Sequence, residues 1–577
     1  MTLILVIIIT LLVSINLNFG LLSESPGKYW RGWRYRLIFY GTLVGLTFYL
    51  GLPALTGPLW GLMPIITGFC VMNAFVTGGV NSFNASYHNE VSPVRPIIFG
   101  FIPILICIVI GFFSAEWNSN EKFRDAIGPV ITEKSLEEVL PSLNFERHLE
   151  VSKAQAIYRS DEALSSTDID GLETRFQISP ASMTKQLVQG KMWWVAPLEF
   201  KTFGIWKRKR VSPGFLMVSA EDRRADYKIV TTLKQKYMIS SFFGADLHRY
   251  VYNQGYSNDR LRDFSYEIND DFEARWVLTL LKPTVGTNLE KVQGIIEVNP
   301  ETGEITEHDL DSVPAWVDRV YPVETIQQYL AWNGKYANGW GNVFPMFGPK
   351  NGNLYEPTQG MIKIPGANEE LFSFTDLTSF STLDETLTGY ALVSSRTGQY
   401  YRIKASGKNS EAARKTLSDS FNDKGFYAVD PILYSAYGAN VWGAPIIFNG
   451  RFKFYGVTSE DTTVTAYGGS VKEAFANFRR ELAKSNSSIV SVDAEMIEST
   501  ITILQVFSET VEGNQIRFLQ TQEYPSFYLT GSSSMSPEIL AIQPGNTARV
   551  KFLDTGDARV PLHEFDLHGI NLRKPDY

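Results

Sequence analysis

Few residue patterns in this sequence could carry chemistry. Asp246 and His248 place a carboxylate beside an imidazole, but no serine or cysteine nucleophile stands at an interpretable spacing from them. Asp168, Asp170 and Glu173 could offer oxygen ligands to calcium, yet their spacing is not that of an EF-hand loop. We therefore predict that His248 is packed or hydrogen-bonded on an aromatic face. We predict that the three acids belong to a solvated loop.

The segment 338–365 is rich in Gly, Pro and Asn, and long aromatic loops of this kind can bind ligands. Five acids follow it: Glu369, Glu370, Asp376, Asp384 and Glu385. A pair of them could serve glycoside hydrolysis, although acids in loops are usually solvated. The sequence has no GxGxxG or Walker pattern to cradle a phosphate. We predict no catalytic residue, cofactor or metal, and a hydrolase is the weakest hypothesis.

One basic run, Lys207 to Arg210, interrupts this acidic chain of net charge −8. As a functional feature, it would contact phosphate or anionic lipid. The alternative, which we favour, is a hairpin end or edge strand kept soluble by its charges. Because nucleic-acid binders are usually strongly basic, the overall charge argues against a nucleic-acid partner.

The elements that would position any site are β-hairpins of one recurring pattern. An apolar strand, a polar or Gly-containing turn and a second strand occur four times, at 214–230, 292–310, 389–403 and 454–467. Gly303 and Gly398 occupy matching turn positions, where a positive φ is expected. Gly214 and Gly294 belong to the first strands of their hairpins, and at Gly294 we expect a close approach of the partner backbone. The recurrence predicts an α+β repeat array of helices and hairpins.

Two stretches carry a family resemblance. The strand 276–280, followed by the hairpin 298–305, resembles PepSY-type modules, and the match extends over roughly 264–310. Such modules are small α+β units found outside the membrane, some of them linked to peptidase propeptides. The layout of the whole chain also resembles large uncharacterised membrane proteins of bacteria and their phages. The resemblance implies location and modularity and carries over no catalytic residue.

The first part of the chain is strongly apolar. Residues 1–22, 37–55, 59–80 and 97–113 predict four transmembrane helices, with Cys70 and Cys107 inside them. Between the first two lies a basic and aromatic segment predicted to face the membrane interface: Lys28, Trp30, Arg31, Trp33, Arg34 and Arg36. Counting four spans places the large remainder outside the cytoplasm and predicts an integral protein of the plasma or inner membrane.

The predicted fold class is multi-domain. A four-helix membrane domain (1–115) precedes a helical connector (116–180), the PepSY-like repeat array (181–483) and a small β domain, barrel or OB-like (489–577). Residues 484–488 read as a polar linker. We expect a membrane-anchored envelope scaffold or interaction protein. Its expected partners are the lipid bilayer and other envelope or membrane proteins, and an oligomer is compatible with the sequence. The alternative is a PepSY-like peptidase inhibitor or regulator.

Overall fold

The computed structural model forms two compact units. The first comprises Met1–Glu133, Ala156–Ala220 and Arg224–Lys404, and the second comprises Lys134–Gln155, Glu221–Arg223 and Ala405–Tyr577. The described residues are 2–17, 25–53, 62–85, 94–113, 115–132, 151–166, 171–222, 227–256, 260–285, 288–340, 355–358, 360–366, 370–379, 387–421, 424–437, 439–461, 464–484, 496–511, 514–532, 536–553 and 558–569. The predicted linker 484–488 lies almost wholly outside them.

In the described ranges of the N-terminal part, the structure has the helices α1 (Thr2–Val13), α2 (Pro26–Gly51), α3 (Met63–Ala85) and α4 (Val94–Phe113). The prediction that they span a membrane is wrong, because no helix in the described ranges is both long enough and apolar enough to do so. At 1.5 Å per residue, the 12 residues of α1 extend about 18 Å, against about 30 Å for a hydrocarbon core. The predicted integral-membrane localisation is wrong for the same reason.

The residues predicted to lie at a membrane interface belong to the first turns of α2. Lys28, Arg31, Arg34 and Arg36 are therefore part of a helix rather than of a loop before one. Trp30 and Trp33 pack edge to face with their ring centroids 5.6 Å apart. The Arg36 guanidinium donates to Asn16 Oδ1 at 2.6 Å, and this contact joins the segment after α1 to α2.

Most of the remaining structure consists of small β-sheets with short helices, so the predicted fold class is wrong as a whole. Further helices of the first unit are α5 (Asn120–Arg124), α6 (Lys153–Ser166, whose first residues belong to the second unit), α7 (Leu172–Arg175), α8 (Phe203–Lys209), α9 (Leu247–Asn253) and α10 (Val323–Lys335). Its strands are β1 (Val130–Ile131), β2 (Phe176–Gln177), β3 (Thr184–Val188), β4 (Lys191–Pro197), β5 (Glu199–Phe200), β6 (Phe215–Ser219), β7 (Lys228–Val230), β8 (Arg260–Ile268), β9 (Ala274–Val285), β10 (Leu289–Val298), β11 (Ile305–Asp309), β12 (Tyr355–Pro357), β13 (Ile362–Pro365), β14 (Leu371–Ser379), β15 (Leu387–Ser394) and β16 (Tyr400–Ile403).

These strands form three larger sheets, with the orders β3-β4-β6-β7, β11-β10-β9-β8 and β1-β16-β15-β14-β12, the last with β13 also on β14. The first two pack face to face around a core that includes Trp193, Phe215, Tyr266 and Trp276. Strand β3 lies within residues 182–189, a segment that begins with Ser182, ends before Gly190 and is predicted from its sequence to be a short helix. Its residues pair with β4 and are mostly buried, and this pairing overrides local helix propensity.

The second unit contains a helix-and-sheet module followed by a closed barrel. The module comprises α11 (Ser410–Asp419), β17 (Tyr427–Ala428), β18 (Ile432–Ala436), β19 (Ala439–Phe448), β20 (Arg451–Ser459), β21 (Thr465–Gly468) and α12 (Val471–Lys484). The barrel comprises β22 (Met496–Val511), β23 (Asn514–Thr521), β24 (Tyr528–Ser532), β25 (Thr547–Leu553) and β26 (Arg559–Leu567). Its interior is filled by aliphatic and aromatic side chains such as Ile503, Leu519, Val550 and Phe565.

All four hairpins identified in the sequence pair as antiparallel strands, namely β6–β7, β10–β11, β15–β16 and β20–β21. Three of them close with the same hydrogen bond, from the amide of the first turn residue to a carbonyl five residues later. These bonds are Asn299 N to Glu304 O at 2.9 Å, Ser394 N to Gln399 O at 2.9 Å, and Ser459 N to Val464 O at 3.0 Å. The repeat therefore extends to backbone geometry.

A second hydrogen bond repeats with the turn. The carbonyl of the next turn residue accepts a hydrogen bond from the backbone amide of a residue that comes 50 to 80 positions earlier in the chain and precedes a helix. These bonds are Tyr237 N to Pro300 O at 2.9 Å, Tyr321 N to Ser395 O at 2.9 Å, and Lys408 N to Glu460 O at 3.1 Å. A helix follows each donor: α9, α10 and α11. We define the repeated modules as residues 237–309, 321–403 and 408–468, the last being the helix-and-sheet part of the second unit without α12.

The four glycines singled out in the sequence occupy crowded positions. Gly303 and Gly398 have φ of +79° and +74°, and a Cβ at either would lie within 2.6 Å of the Tyr237 or Tyr321 ring. In the first strands, a Cβ at Gly214 or Gly294 would lie about 2 Å from a carbonyl oxygen of the paired strand. Only glycine fits these four places without moving the backbone or a ring.

Valine at Gly303 or Gly398 should lower the free energy of unfolding by about 3 kcal/mol. The β-branched side chain would need a positive φ and would overlap a tyrosine ring. Thermal unfolding of the full chain measures the loss. Thr306→Ala, on the exposed face of β11, is the control and should stay within about 0.5 kcal/mol. Unchanged melting of both valine variants would show that the repeated turn is not required.

Candidate functional site

The Asp246 and His248 pair has a structural role. Asp246 caps α9, because its Oδ1 accepts from Arg249 N at 2.9 Å. The His248 ring packs on Phe264 with 3.9 Å between centroids, and burial lowers the pKa of His248. The packing on an aromatic face is confirmed, and the carboxylate that would orient a catalytic imidazole is bonded to the helix backbone instead.

The acids proposed as ligands or catalysts give no constellation. Those outside the described residues are Asp168, Asp170, Glu369, Asp384 and Glu385. The Glu370 carboxylate accepts a hydrogen bond from the Ser394 hydroxyl, and the buried Asp376 carboxylate accepts one from Thr358 Oγ1 at 2.5 Å. Both carboxylates therefore stabilise the sheet to which they belong. Glu173 is exposed on α7. Within the described ranges, no group of three or more His, Cys, Asp or Glu is placed to hold a metal ion.

A buried ionic cluster lies between the first and second modules instead. We use this name for Asp263 and Glu267 on β8, Asp318 and Arg319 in the segment before α10, and Lys363 on β13. Glu267 is only 1% exposed, and its Oε2 accepts from Asp318 N at 3.0 Å. Asp318 Oδ2 in turn accepts from Leu187 N at 2.7 Å, so the cluster connects three separate segments of the chain.

Burial shifts the pKa values of both acids upward. It raises the pKa of Glu267 to about 8, with the charge of Asp318 adding to the shift, and it raises the pKa of Asp318 to about 6. Glu267 Oε1 has no hydrogen-bond partner among the described residues. A protonated Glu267 avoids an uncompensated buried charge, and Asp318 carries the negative charge near neutral pH.

Lys363 has the opposite shift. It is buried, and both burial and the neighbouring Arg319 guanidinium lower the pKa of Lys363 to about 7. Its Nζ donates to Ser395 Oγ at 3.2 Å, and the Ser395 and Ser373 hydroxyls are 3.1 Å apart. A lysine with a lowered pKa beside a serine is the geometry of a base and a nucleophile.

This lysine–serine pair is closed to a substrate. Ser395 and Ser373 have no exposed surface at all, so an attacking oxygen could not meet a carbonyl carbon in this conformation. The Ser395 hydroxyl instead accepts a hydrogen bond from the buried Lys363 ammonium group, which would otherwise carry a large desolvation cost, and the Ser373 hydroxyl is bonded to that of Ser395. The pair is therefore structural.

The remaining charges of the cluster are compensated locally. The Arg319 guanidinium lies 2.7 Å from Asp263 Oδ2 and donates to Oδ1 at 2.8 Å. Lys185, also buried, donates to the Lys363 carbonyl at 3.3 Å and lies 4.9 Å from the centroid of the Trp194 ring. These contacts join β3 to β13 and join β8 to the segment before α10, and the three strands belong to three different sheets.

A cavity of about 470 Å³ opens beside the cluster. Its lining includes both apolar and polar residues, namely Leu187, Gly190, Asp270, Ala315, Trp316, Asp318, Glu370, Leu371, Arg396 and Thr397. The Arg396 guanidinium donates to the carbonyls of Val313, Pro314 and Ala315, which fixes the segment that carries Trp316. The cavity is thus bordered by the β15–β16 turn, the β3–β4 turn and the segment before α10.

No protein-family profile matches the sequence, and no curated protein was found to be similar to it.

Sequence reasoning missed Glu267, Asp318, Lys363 and Ser395. One signal was present for Lys363, which lies between Ile362 and Ile364 in a short apolar strand, where a charged side chain needs a buried partner or an exposed edge. The other three gave no such signal, because their neighbours in space are distant in sequence.

The free energy of unfolding should fall as pH rises from about 4.5 to 7. The unfolded chain releases the Glu267 proton near pH 4.5, whereas the folded protein keeps it to about pH 8, so the folded state binds more protons in between. Asp318 acts in the same direction up to about pH 6. Lys363, whose folded pKa is lowered to about 7, reverses the trend only above that pH.

The variant Glu267→Gln should flatten this fall, because glutamine keeps an acceptor for Asp318 N and does not ionise. Each pKa unit of displacement corresponds to about 1.4 kcal/mol. Thermal unfolding at several pH values compares wild type, Glu267→Gln and Glu304→Gln, an exposed control in the same module. Equal pH slopes in all three proteins would contradict the assignment.

Proposed function

We propose that this protein is a non-catalytic interaction scaffold. Its modules are held by the same turn geometry, and repeated modules present extended surfaces that suit protein binding. The observation that carries the proposal is the contrast within the first unit: the cavity beside Trp316 is open, whereas the lysine–serine pair next to it is sealed. What is accessible there is a binding surface.

The cavity supports polypeptide docking for two reasons. Its volume of about 470 Å³ is within the range of ligand pockets, and its lining combines an aromatic ring, aliphatic groups and several charged groups. Its wall is also fixed before binding, because Arg396 holds three consecutive carbonyls. A preformed wall lowers the entropy cost of association.

The alternative function, a peptidase inhibitor or regulator, depends on the PepSY resemblance alone and stays a prediction. Inhibition of a purified peptidase by the full chain would favour it.

Blocking the cavity should prevent a partner protein from binding. Thr397 is exposed on the β15–β16 turn and lines the cavity, so Thr397→Arg places a long side chain in its mouth. Thr302 occupies the equivalent place in the β10–β11 turn, and the hydroxyls of both threonines accept from the amide two residues later. Thr302→Arg is therefore a matched control.

The measurement is the affinity of a stoichiometric partner purified with the tagged full chain from its native cells. We expect Thr397→Arg to weaken binding at least about 30-fold, the loss typical of a blocked hot spot, and Thr302→Arg to have little effect. Equal effects of the two variants on affinity would show that the cavity is not part of the binding interface. Labelling of Ser395 by a serine-reactive fluorophosphonate would contradict the non-catalytic assignment.

A further inference from the structure

Three phenylalanines are exposed together on the first unit. Phe203 begins α8 and is 43% exposed. Phe242 precedes the short 3-10 turn Phe243–Ala245 and is 38% exposed, and Phe243, the first residue of that turn, is 57% exposed. The Phe203 ring lies 5.0 Å from that of Phe242 and 6.1 Å from that of Phe243. Isolated exposed apolar residues are ordinary, but a contiguous group marks a binding surface.

The group has a rigid base. The buried Trp206 ring lies beneath it, 5.4 Å from Phe242 and 5.8 Å from Phe243. Thr202 fixes the start of α8, since its side chain accepts from Ile205 N. The phenylalanines are therefore presented on a packed support.

Four cations adjoin these rings. Lys207, Arg208 and Lys209 form the exposed last turn of α8, and Arg210 ends the helix in the left-handed conformation with its guanidinium 4.3 Å from the Trp206 ring centroid. The expected edge strand is absent here, since the run belongs to a helix. We name Phe203, Phe242, Phe243 and residues 207–210 the aromatic–basic patch.

Helix α9, which follows the 3-10 turn, contacts the end of α2. Just after the 3-10 turn, the Arg249 guanidinium lies 4.0 Å from the Tyr49 ring centroid, and Tyr252 donates its hydroxyl to Pro53 O at 2.9 Å. Leu46 and Leu50, near that end of α2, are exposed. The helix that follows the 3-10 turn thus contacts an end of α2 that carries exposed leucines.

We propose that the aromatic–basic patch binds the surface of an anionic phospholipid bilayer. The phenylalanines would enter the boundary between headgroups and acyl chains, and the lysines and arginines would stay at the phosphates. This peripheral contact needs no spanning helix. The rings of Phe203 and Phe242 stand at 76° to each other and that of Phe243 at 79° to Phe203, so the rings cover one another's faces. That arrangement favours insertion into lipid over stacking of nucleic-acid bases.

Charge complementarity makes the partner anionic. The chain as a whole carries a net charge of −8, so a run of four cations on one surface is a local exception that attracts phosphate. Each basic residue near an anionic bilayer contributes about 1 kcal/mol, or about fivefold in binding. Binding should therefore depend on anionic lipid and weaken with salt.

The test is co-sedimentation of the full chain with vesicles of phosphatidylcholine, with and without phosphatidylglycerol. Lys207→Glu/Lys209→Glu should reduce binding to the anionic vesicles by at least about 25-fold. The matched control is Lys282→Glu/Lys291→Glu, which changes the net charge equally at an exposed cross-strand pair away from the patch. It should bind like wild type.

Phe243→Ser tests the apolar contribution and should weaken vesicle binding about tenfold, since more than half of this side chain is exposed. Circular dichroism of each variant checks its fold. Equal losses in the two double variants would reduce the effect to net charge and overturn the proposal. So would tight, patch-dependent binding of heparin or duplex DNA together with vesicle binding that is insensitive to Phe243→Ser.

Discussion

The hydrogen bond between each turn and the chain entering its module is the contact on which the rest of the structure depends. In three modules, one turn carbonyl accepts a hydrogen bond from the amide of a residue at the start of the module, so the last hairpin of the module is joined to its beginning. Such a bond stabilises by about 1 kcal/mol. Its larger effect is positional: it fixes the Tyr237 and Tyr321 rings against Gly303 and Gly398, where a side chain at the glycine would collide with them.

The buried ionic cluster follows from the same contact. The Ser395 carbonyl holds Val320 and Tyr321, and the two residues before them are Asp318 and Arg319. Once this segment is fixed, Asp318 meets Leu187 and Glu267, and Arg319 meets Asp263. Ser395 also receives the Lys363 ammonium through its hydroxyl. Ser395 therefore fixes the segment that carries Asp318 and Arg319 through its carbonyl, and it accepts a hydrogen bond from Lys363 through its hydroxyl. These two roles explain why the lysine–serine pair can be structural.

The first unit carries two surfaces of different character. The cavity beside Trp316 is framed by turns and fixed by Arg396, as expected for recognition of another polypeptide. The aromatic–basic patch is instead an exposed group of rings and cations on a short helix and a 3-10 turn. Because the two surfaces use different residues, changing one need not affect the other, and the binding of a partner and of a lipid surface are separate questions.

The sequence by itself determined the four hairpins and the small C-terminal β domain, which the structure closes into a barrel. Their signals are local: turn residues, capping residues and apolar periodicity act within a few positions. The apolar N-terminal stretches led to a wrong prediction of membrane-spanning helices. Composition shows neither that α1 ends at Val13 nor that the basic residues from Lys28 to Arg36 lie inside a helix. Tertiary structure alone decided that 184–188 is a strand and that Glu267, Asp318 and Lys363 share one buried site. The physical reason is that pairing and burial depend on residues far along the chain: Lys363 and Lys185 are 178 positions apart, and no local pattern encodes that meeting.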